Sequence, residues 1–327
     1  MANDTRKTYL YTSEKIDGPW KKQLIEGFYH DGSLLFDEDG RNYIVYGNDE
    51  IWITELNEDL TAPKKGGLHR LLVSDHKNPE LGYEGSHIQK INGYYYIFLV
   101  HSLRDRWMRT EACFYSDSLE GEFTGGDVLC DDRGYCGQGV AQGGIVDTPD
   151  GKWYAMLFQD SGAVGRIPIL LPVTWKDHFP FFGQNGHVPE EIEVHSTRPG
   201  YIYQPLVGSD DFCNGLLPRW QFNHDPDPRY YHLDALQGTY TITTREVCTE
   251  LTQAVNTLTQ RMSYPSCAAE VTVDASALKE GDVAGLCALQ SCYAAVGITK
   301  HHGKYEVLML DKKEDGILDK IGRASCR

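Results

Sequence analysis

Two carboxylic acids occupy matching places in this chain. Asp31 stands in Tyr29-His30-Asp31-Gly32-Ser33-Leu34, ahead of a hairpin signal at Asp39-Gly40. Glu84 stands in Gly82-Tyr83-Glu84-Gly85-Ser86-His87, ahead of a second hairpin signal at Asn92-Gly93. Carboxyls at equivalent points of a circular repeat can converge on one axis, and converging carboxyls are the equipment of glycoside hydrolysis. An acid at Glu84 needs a raised pKa, which burial near Tyr83 and the charge of Asp31 would supply. The competing readings are a solvated Glu after a turn and, for Asp31, a turn or cap residue before Ser33.

Other side chains could serve the same chemistry. Arg166 precedes the apolar run from Ile167 to Val173. A charge there is expected to be paired or functional, because unpaired burial is costly. Asp160 is either its partner or a loop residue. His30 and His87 flank the two acids and read as hydrogen-bonded packing residues. Trp107, beside Arg104, Asp105 and Arg106, offers an apolar face to a sugar ring or a cover for a sheet edge. Asp37, Glu38 and Asp39 read as a solvated turn, and His224 as a distant further candidate.

The elements that must position these residues are strands. An acidic or polar turn ending in Gly, followed by an aromatic-rich strand, recurs at Gly40, Gly93 and Gly151, at intervals of about 55 residues. Asx-Gly between β-rich runs is a strong hairpin signal, since both residues tolerate positive φ. Strands are expected at Asn42–Tyr46, Tyr94–Leu99 and Trp153–Phe158. A second element interleaves with these: Tyr11 through Trp20 matches Tyr115 through Phe123, and Ile53 through Pro63 is a looser copy. Repeats of several strands predict an all-β propeller rather than a sandwich. The chain opens inside a repeat, so an N-terminal part is expected to precede it.

The propeller part is expected over 1–190, a linker over 191–208, and a partial β-sandwich over 209–320. Strand-like stretches in the last are Thr239–Thr243, Ala268–Val273, Val283–Leu289, Ala294–Ile298 and Tyr305–Leu310. Glu250–Met262 is too rich in Thr and Asn for a stable helix. Residues 321–327 read as a non-native tail, with the natural chain cut near Lys320.

Composition excludes several partners. Lys plus Arg number 31 and Asp plus Glu 47 in 327 residues, a net charge of −16. That balance repels nucleic acid and anionic lipid, and no apolar run approaches the roughly 20 residues of a membrane span. The nine cysteines contain no CxxC pair, so a zinc ribbon is not expected and most are read as buried free thiols. The first seven residues have no apolar core for a signal peptide. These features lean toward the cytoplasm without deciding the location.

Taken in order, the motifs resemble glycoside hydrolase family 43, which contains β-xylosidases and α-L-arabinofuranosidases. The resemblance rests on His30 through Gly40, Tyr83-Glu84-Gly85-Ser86-His87, Gln142 through Tyr154, Gly162 through Trp175, and Trp220 through Tyr230, which looks like the start of an appended concanavalin-like sandwich. It implies a five-bladed propeller, here incomplete, and hydrolysis with inversion of xylose- or arabinose-containing plant-wall oligosaccharides. By motif, Glu84 matches the general acid and Asp31 the carboxylate that tunes and orients it. Arg166, Gln142, His30 and Trp107 are the residues expected around the sugar.

Two positions depart from the pattern. Many members carry His where Gln142 stands, often near a bound cation, so no metal and no cofactor are expected. The family's base lies in an Asp-Pro motif that nothing before Asp31 matches. Asp225-Pro226 and Asp227-Pro228 read as turn-formers, so the base is expected to be absent from the chain. The alternative is a non-catalytic carbohydrate-binding propeller and sandwich.

Overall fold

The Asx-Gly pairs turn the chain where expected. The computed structural model describes residues 6–194, 198–223, 225–263, 266–290, 292–313 and 316–325, which excludes His224. Contacts divide the chain into two compact units, 1–196 and 197–327.

The first unit opens with a two-stranded sheet, β1 (Thr8–Thr12) and β2 (Lys21–Ile25). Three four-stranded antiparallel meanders follow. They are β3 (Ser33–Phe36), β4 (Asn42–Asn48), β5 (Glu50–Leu56) and β6 (His69–Ser74); then β7 (Glu84–Ile91), β8 (Tyr94–Ser102), β9 (Arg109–Ser116) and β10 (Thr124–Leu129); then β11 (Ala141–Asp147), β12 (Trp153–Asp160), β13 (Arg166–Lys176) and β14 (Phe179–Phe182). These are blades of a β-propeller. Asp39-Gly40, Asn92-Gly93 and Asp150-Gly151 join the first two strands of each.

Burial on both faces explains the aromatic and β-branched run of β8. Tyr95, Ile97 and Leu99 pack into the core shared with Leu35, Val45, Ile51 and Ile53 of the preceding blade. Tyr96 and Phe98 point the other way, against Ile145, Leu157 and Leu171 of the next. A strand buried on both sides reads as a near-continuous apolar run. The blades are also joined by polar ties. The Gln89 amide donates to the Ile145 carbonyl at 2.9 Å, and Arg70 donates to the carbonyls of Leu119 and Gly121.

Asp37 corrects the expectation of a solvated acidic turn. Its side chain is 2% exposed and accepts hydrogen bonds from Lys90 Nζ at 2.7 Å and Tyr95 Oη at 2.5 Å, tying the first blade to the second. Burial raises its pKa, but those two donors and the Glu38 N–H outweigh it and hold the carboxyl below its ordinary range.

Two of the inner strands carry a β-bulge near their first residues. The register slips between Glu84 and His87 on β7, and between Ala141 and Gly144 on β11. Each bulge contains a residue in the left-handed region, Gly85 at φ 68° and Gln142 at φ 69°. Bulges re-aim side chains and are enriched beside active sites.

The second unit pairs β15 (Gln221–Phe222) with β18 (Leu258–Thr259) and β16 (Tyr231–Asp234) with β17 (Thr239–Ile242). A four-stranded antiparallel sheet follows, from β19 (Val283–Leu289), β20 (Tyr293–His301), β21 (Lys304–Lys312) and β22 (Leu318–Ser325). The strand expected at Ala268–Val273 does not form; its side chains are mostly exposed and it finds no ladder partner. Glu250–Met262 contains only a 3-10 turn and β18. Asp227 behaves as a turn residue: its carbonyl accepts the Tyr230 N–H, and Arg229 grips its carboxylate, pulling the pKa down to about 2. The eight described cysteines are free, but only Cys113 is buried, against the expectation that most would be.

Candidate active site

The turn between β4 and β5 gathers the acidic residues. The Gly47 N–H donates to the His30 carbonyl at 3.0 Å, fixing the segment ahead of β3. The Asp49 N–H donates to the Tyr83 carbonyl at 2.9 Å, fixing the segment ahead of β7. Between them, the Asn48 amide donates to Glu84 Oε2 at 2.9 Å. One turn thus holds both acid-bearing loops by backbone and side-chain bonds.

His30, Asp31 and Glu84 come together here, each offering a donor atom within 4.8 Å of the other two. His30 Nε2 lies 3.5 Å from Glu84 Oε2 and 3.8 Å from Asp31 Oδ2. Their side chains are 22–29% exposed, so the cluster is lined by protein yet open to a ligand. Asp31 itself is in the left-handed region, φ 44°, as a turn residue would be. Its turn role and its place in the cluster therefore coexist.

Tyr83 does not cover Glu84. Its ring packs edge-on against His101 and Phe114, because successive strand residues face opposite sides. His87 stands near Asp31. Desolvation pushes its imidazole below the ordinary 6.5, and the Asp31 charge opposes that shift.

Gln142, on the third blade, abuts Gly85 beside Glu84. A Cβ built on Gly85 would lie 2.7 Å from Gln142 Cγ, so the two bulges touch at a point where only glycine fits. Two residues of β9 grip Gln142. Its backbone N–H donates to Glu111 Oε2 at 2.6 Å, and Arg109 Nη2 donates to its Oε1 at 3.4 Å. The Gln142 oxygen thus faces a guanidinium. Glu111 is fully buried, and its Oε1 has no protein partner among the described residues. Burial drives its carboxyl well above the ordinary range, against the Gln142 N–H and the Arg109 charge.

Arg166 is not the buried charge that the apolar run suggested. It is the first residue of β13, 61% exposed, and lies over the Phe158 ring at 4.3 Å. Asp160 is its partner, at 3.3 Å. The same carboxylate accepts from Arg109 Nη1 at 2.8 Å, and Arg109 is buried and also faces Phe158. Trp107, 40% exposed, lies beside Gly137.

Sequence reasoning missed Asn48, Arg109 and Glu111. Asn48 carries no signal beyond a turn. Arg109 and Glu111 do: opposite charges two apart on an otherwise apolar strand, Arg109-Thr110-Glu111-Ala112-Cys113-Phe114, share one face and call for partners.

The sequence profile of "Glycosyl hydrolases family 43" matches residues 1–180. The chain belongs to glycosyl hydrolase family 43. Residues 209–325 match "Beta xylosidase C-terminal Concanavalin A-like domain", so the second unit is the sandwich domain of that family. The chain is 25% identical over 361 residues to a beta-xylosidase of Formosa agariphila, covering 92% of this chain and 60% of that one. It is 26% identical over 311 residues to a xylosidase/arabinosidase of Humicola insolens, covering 87% and 56%. The chain therefore spans little more than half the length of these relatives. Among solved structures, a bifunctional GH43-CE protein of Bacteroides eggerthii superposes with a TM-score of 0.84 at 38% identity, covering 99% of this chain and 42% of that one.

Proposed function

We propose that this chain binds and helps cleave terminal xylose or arabinofuranose on plant-wall oligosaccharides, by single displacement with inversion. Glu84 protonates the leaving oxygen. Asp31 poises and orients it, and His30, Gln142, Arg166 and Trp107 stand around the sugar. The names of the relatives, which act on xylosides and arabinosides, support the substrate class.

The observation that carries the reading is the His30–Asp31–Glu84 cluster. Inverting acid and base carboxyls stand roughly 6.5–9.5 Å apart to admit water. Asp31 is closer to Glu84 than that, and the His30 ring nitrogen stands within 4 Å of both. The pair is closer than the water-admitting spacing of an inverting acid and base, and Asp31 suits an orienting charge beside Glu84. No residue of the chain is assigned as the base.

The test is release of pentose from xylobiose and arabinobiose, by the chain alone and by the chain preceded by the family's Asp-Pro segment. Turnover is expected only in the second, and Glu84→Gln should lower it by roughly 10²–10⁴-fold. Near-normal turnover in Glu84→Gln would remove it from the mechanism, and release by the chain alone would place a base within these residues. Saturable binding without release in either protein would favour a carbohydrate-binding role instead.

A further inference from the structure

The spacing of His30, Asp31 and Glu84 fits an ion better than it fits hydrogen bonds. His30 Nε2 lies 3.5 Å from Glu84 Oε2 and 3.8 Å from Asp31 Oδ2, and the three ligand atoms lie within 4.8 Å of one another. Direct N–H···O bonds span roughly 2.7–3.2 Å, so the imidazole satisfies neither carboxylate. Two carboxylates this near each other repel unless a proton or a cation relieves them. A tetrahedral zinc ion, with bonds of about 2.0–2.2 Å, holds its ligand atoms about 3.3–3.6 Å apart. The His30–Glu84 separation falls in that range. A movement of the Asp31 carboxyl on the order of 1 Å completes the set.

The donor types select the ion. One imidazole nitrogen and two carboxylate oxygens suit a transition ion of the zinc type, whereas Ca²⁺ and Mg²⁺ want a fuller shell of oxygens. The side chains are 22–29% exposed, which leaves an approach from solvent, and a net charge of −16 draws cations toward the chain. The support is in place as well. The Gly47 N–H fixes the His30 carbonyl, and the Asn48 amide donates to Glu84 Oε2 at 2.9 Å; such outer bonds orient a ligating carboxylate. These donors are separate from Gln142, on which the expectation of no metal rested.

We propose that His30, Asp31 and Glu84 form a binding site for a divalent transition ion of the zinc type. Three protein ligands leave the fourth position to water. The charge of the ion keeps the Glu84 carboxyl ionised, so ion and proton exclude each other there. Bound zinc thus silences the acid and competes with the sugar, a consequence that rests on the reading of Glu84 as the acid.

Calorimetric titration of the whole chain with Zn²⁺, Ca²⁺ and Mg²⁺ tests the site. Wild type should bind Zn²⁺ at least roughly tenfold more tightly than the other two. His30→Gln, Asp31→Asn and Glu84→Gln, each shown by urea unfolding to be folded, should weaken zinc by roughly tenfold or more, since loss of an outer-shell partner alone costs about 10–100-fold. Thiols such as Cys130 and Cys136 are exposed, so Co²⁺ absorption reports the donors, and the first equivalent should bind without a thiolate-to-metal band. Zinc affinity unchanged in the folded variants, a thiolate band at the first equivalent, or a preference for Ca²⁺ or Mg²⁺ would overturn the site. Saturating Zn²⁺ should weaken xylobiose or arabinobiose binding by roughly tenfold, the scale of one hydrogen bond to a charged group; sugar affinity untouched by zinc would overturn the silencing. Wild type binding neither sugar without zinc would overturn the glycosidase reading and leave the ion site standing.

Discussion

The contact between the two bulges fixes the backbone next to Glu84, and Gly85→Ala measures it. Two costs add. Placing a side chain at φ 68° costs about 1–2 kcal/mol. The new Cβ would then stand 2.7 Å from Gln142 Cγ. Gln142 cannot swing away freely, because Glu111 holds its N–H and Arg109 its carboxamide; such overpacking costs about 1–3 kcal/mol. Gly93→Ala separates the two terms. Gly93 sits at φ 85° with nothing within 4 Å of a built Cβ, so only the conformational cost applies. Urea unfolding should therefore rank wild type above Gly93→Ala and Gly93→Ala above Gly85→Ala. The last should lose about 3 kcal/mol, or roughly 6–12 °C in Tm for a unit of this size. If the two variants lose equally, Gln142 yields without cost and the clamp on it is not rigid.

Two buried carboxyls should show opposite pH signatures. Asp37→Ala should cost about 3–5 kcal/mol near neutrality, because it leaves Lys90 and Tyr95 without their buried partner. The Asp37 pKa is depressed in the fold, so its contribution is present above the free carboxyl's range and is lost as pH falls. The gap from wild type in urea should narrow in acid; a loss under about 1 kcal/mol, or a gap that widens on acidification, would contradict the inter-blade tie. Glu111 is the reverse case. Its pKa is raised, so its contribution is complete below the ordinary 4.5 and is lost as pH rises through the folded value. Glu111→Gln keeps an acceptor for the Gln142 N–H and cannot ionise, so it should gain on wild type as the pH rises above the ordinary 4.5; a difference that stays constant as the pH rises would mean Glu111 is not held neutral.

Local signals carried the fold, and long-range contacts carried what was missed. Asx-Gly pairs announce hairpins because the turn needs positive φ, whatever surrounds it. The matching places of Asp31 and Glu84 were legible for the same reason: each precedes its hairpin in the same local frame. Asp37 was misread because its donors, Lys90 and Tyr95, belong to the next blade and nothing near Asp37 reveals them. Arg166 was read as paired, and Asp160 pairs with it; what an apolar run does not say is where a strand's first residue emerges, here into solvent over Phe158. Ala268–Val273 has the composition of a strand and lacks the neighbour that would make it one. Tyr83 was credited with burying Glu84, although strand alternation sends the two side chains apart.

The site also shows how a repeated backbone can serve different ends in successive blades. The bulges of β7 and β11 occupy equivalent positions and place one residue each in the left-handed region. On β7 that residue is Gly85, which adopts the conformation freely and leaves room beside Glu84. On β11 it is Gln142, which adopts it against its preference and is held there by Glu111 and Arg109. The blade that carries Glu84 is therefore locally permissive, and the next blade supplies the rigidity. Glu84 is aimed partly by residues that never touch it: β9 holds Gln142, Gln142 abuts Gly85, and Gly85 sets the backbone from which the carboxyl projects. A change at Glu111 or Arg109 reaches Glu84 through that contact, although both side chains lie on a strand that motif comparison passes over.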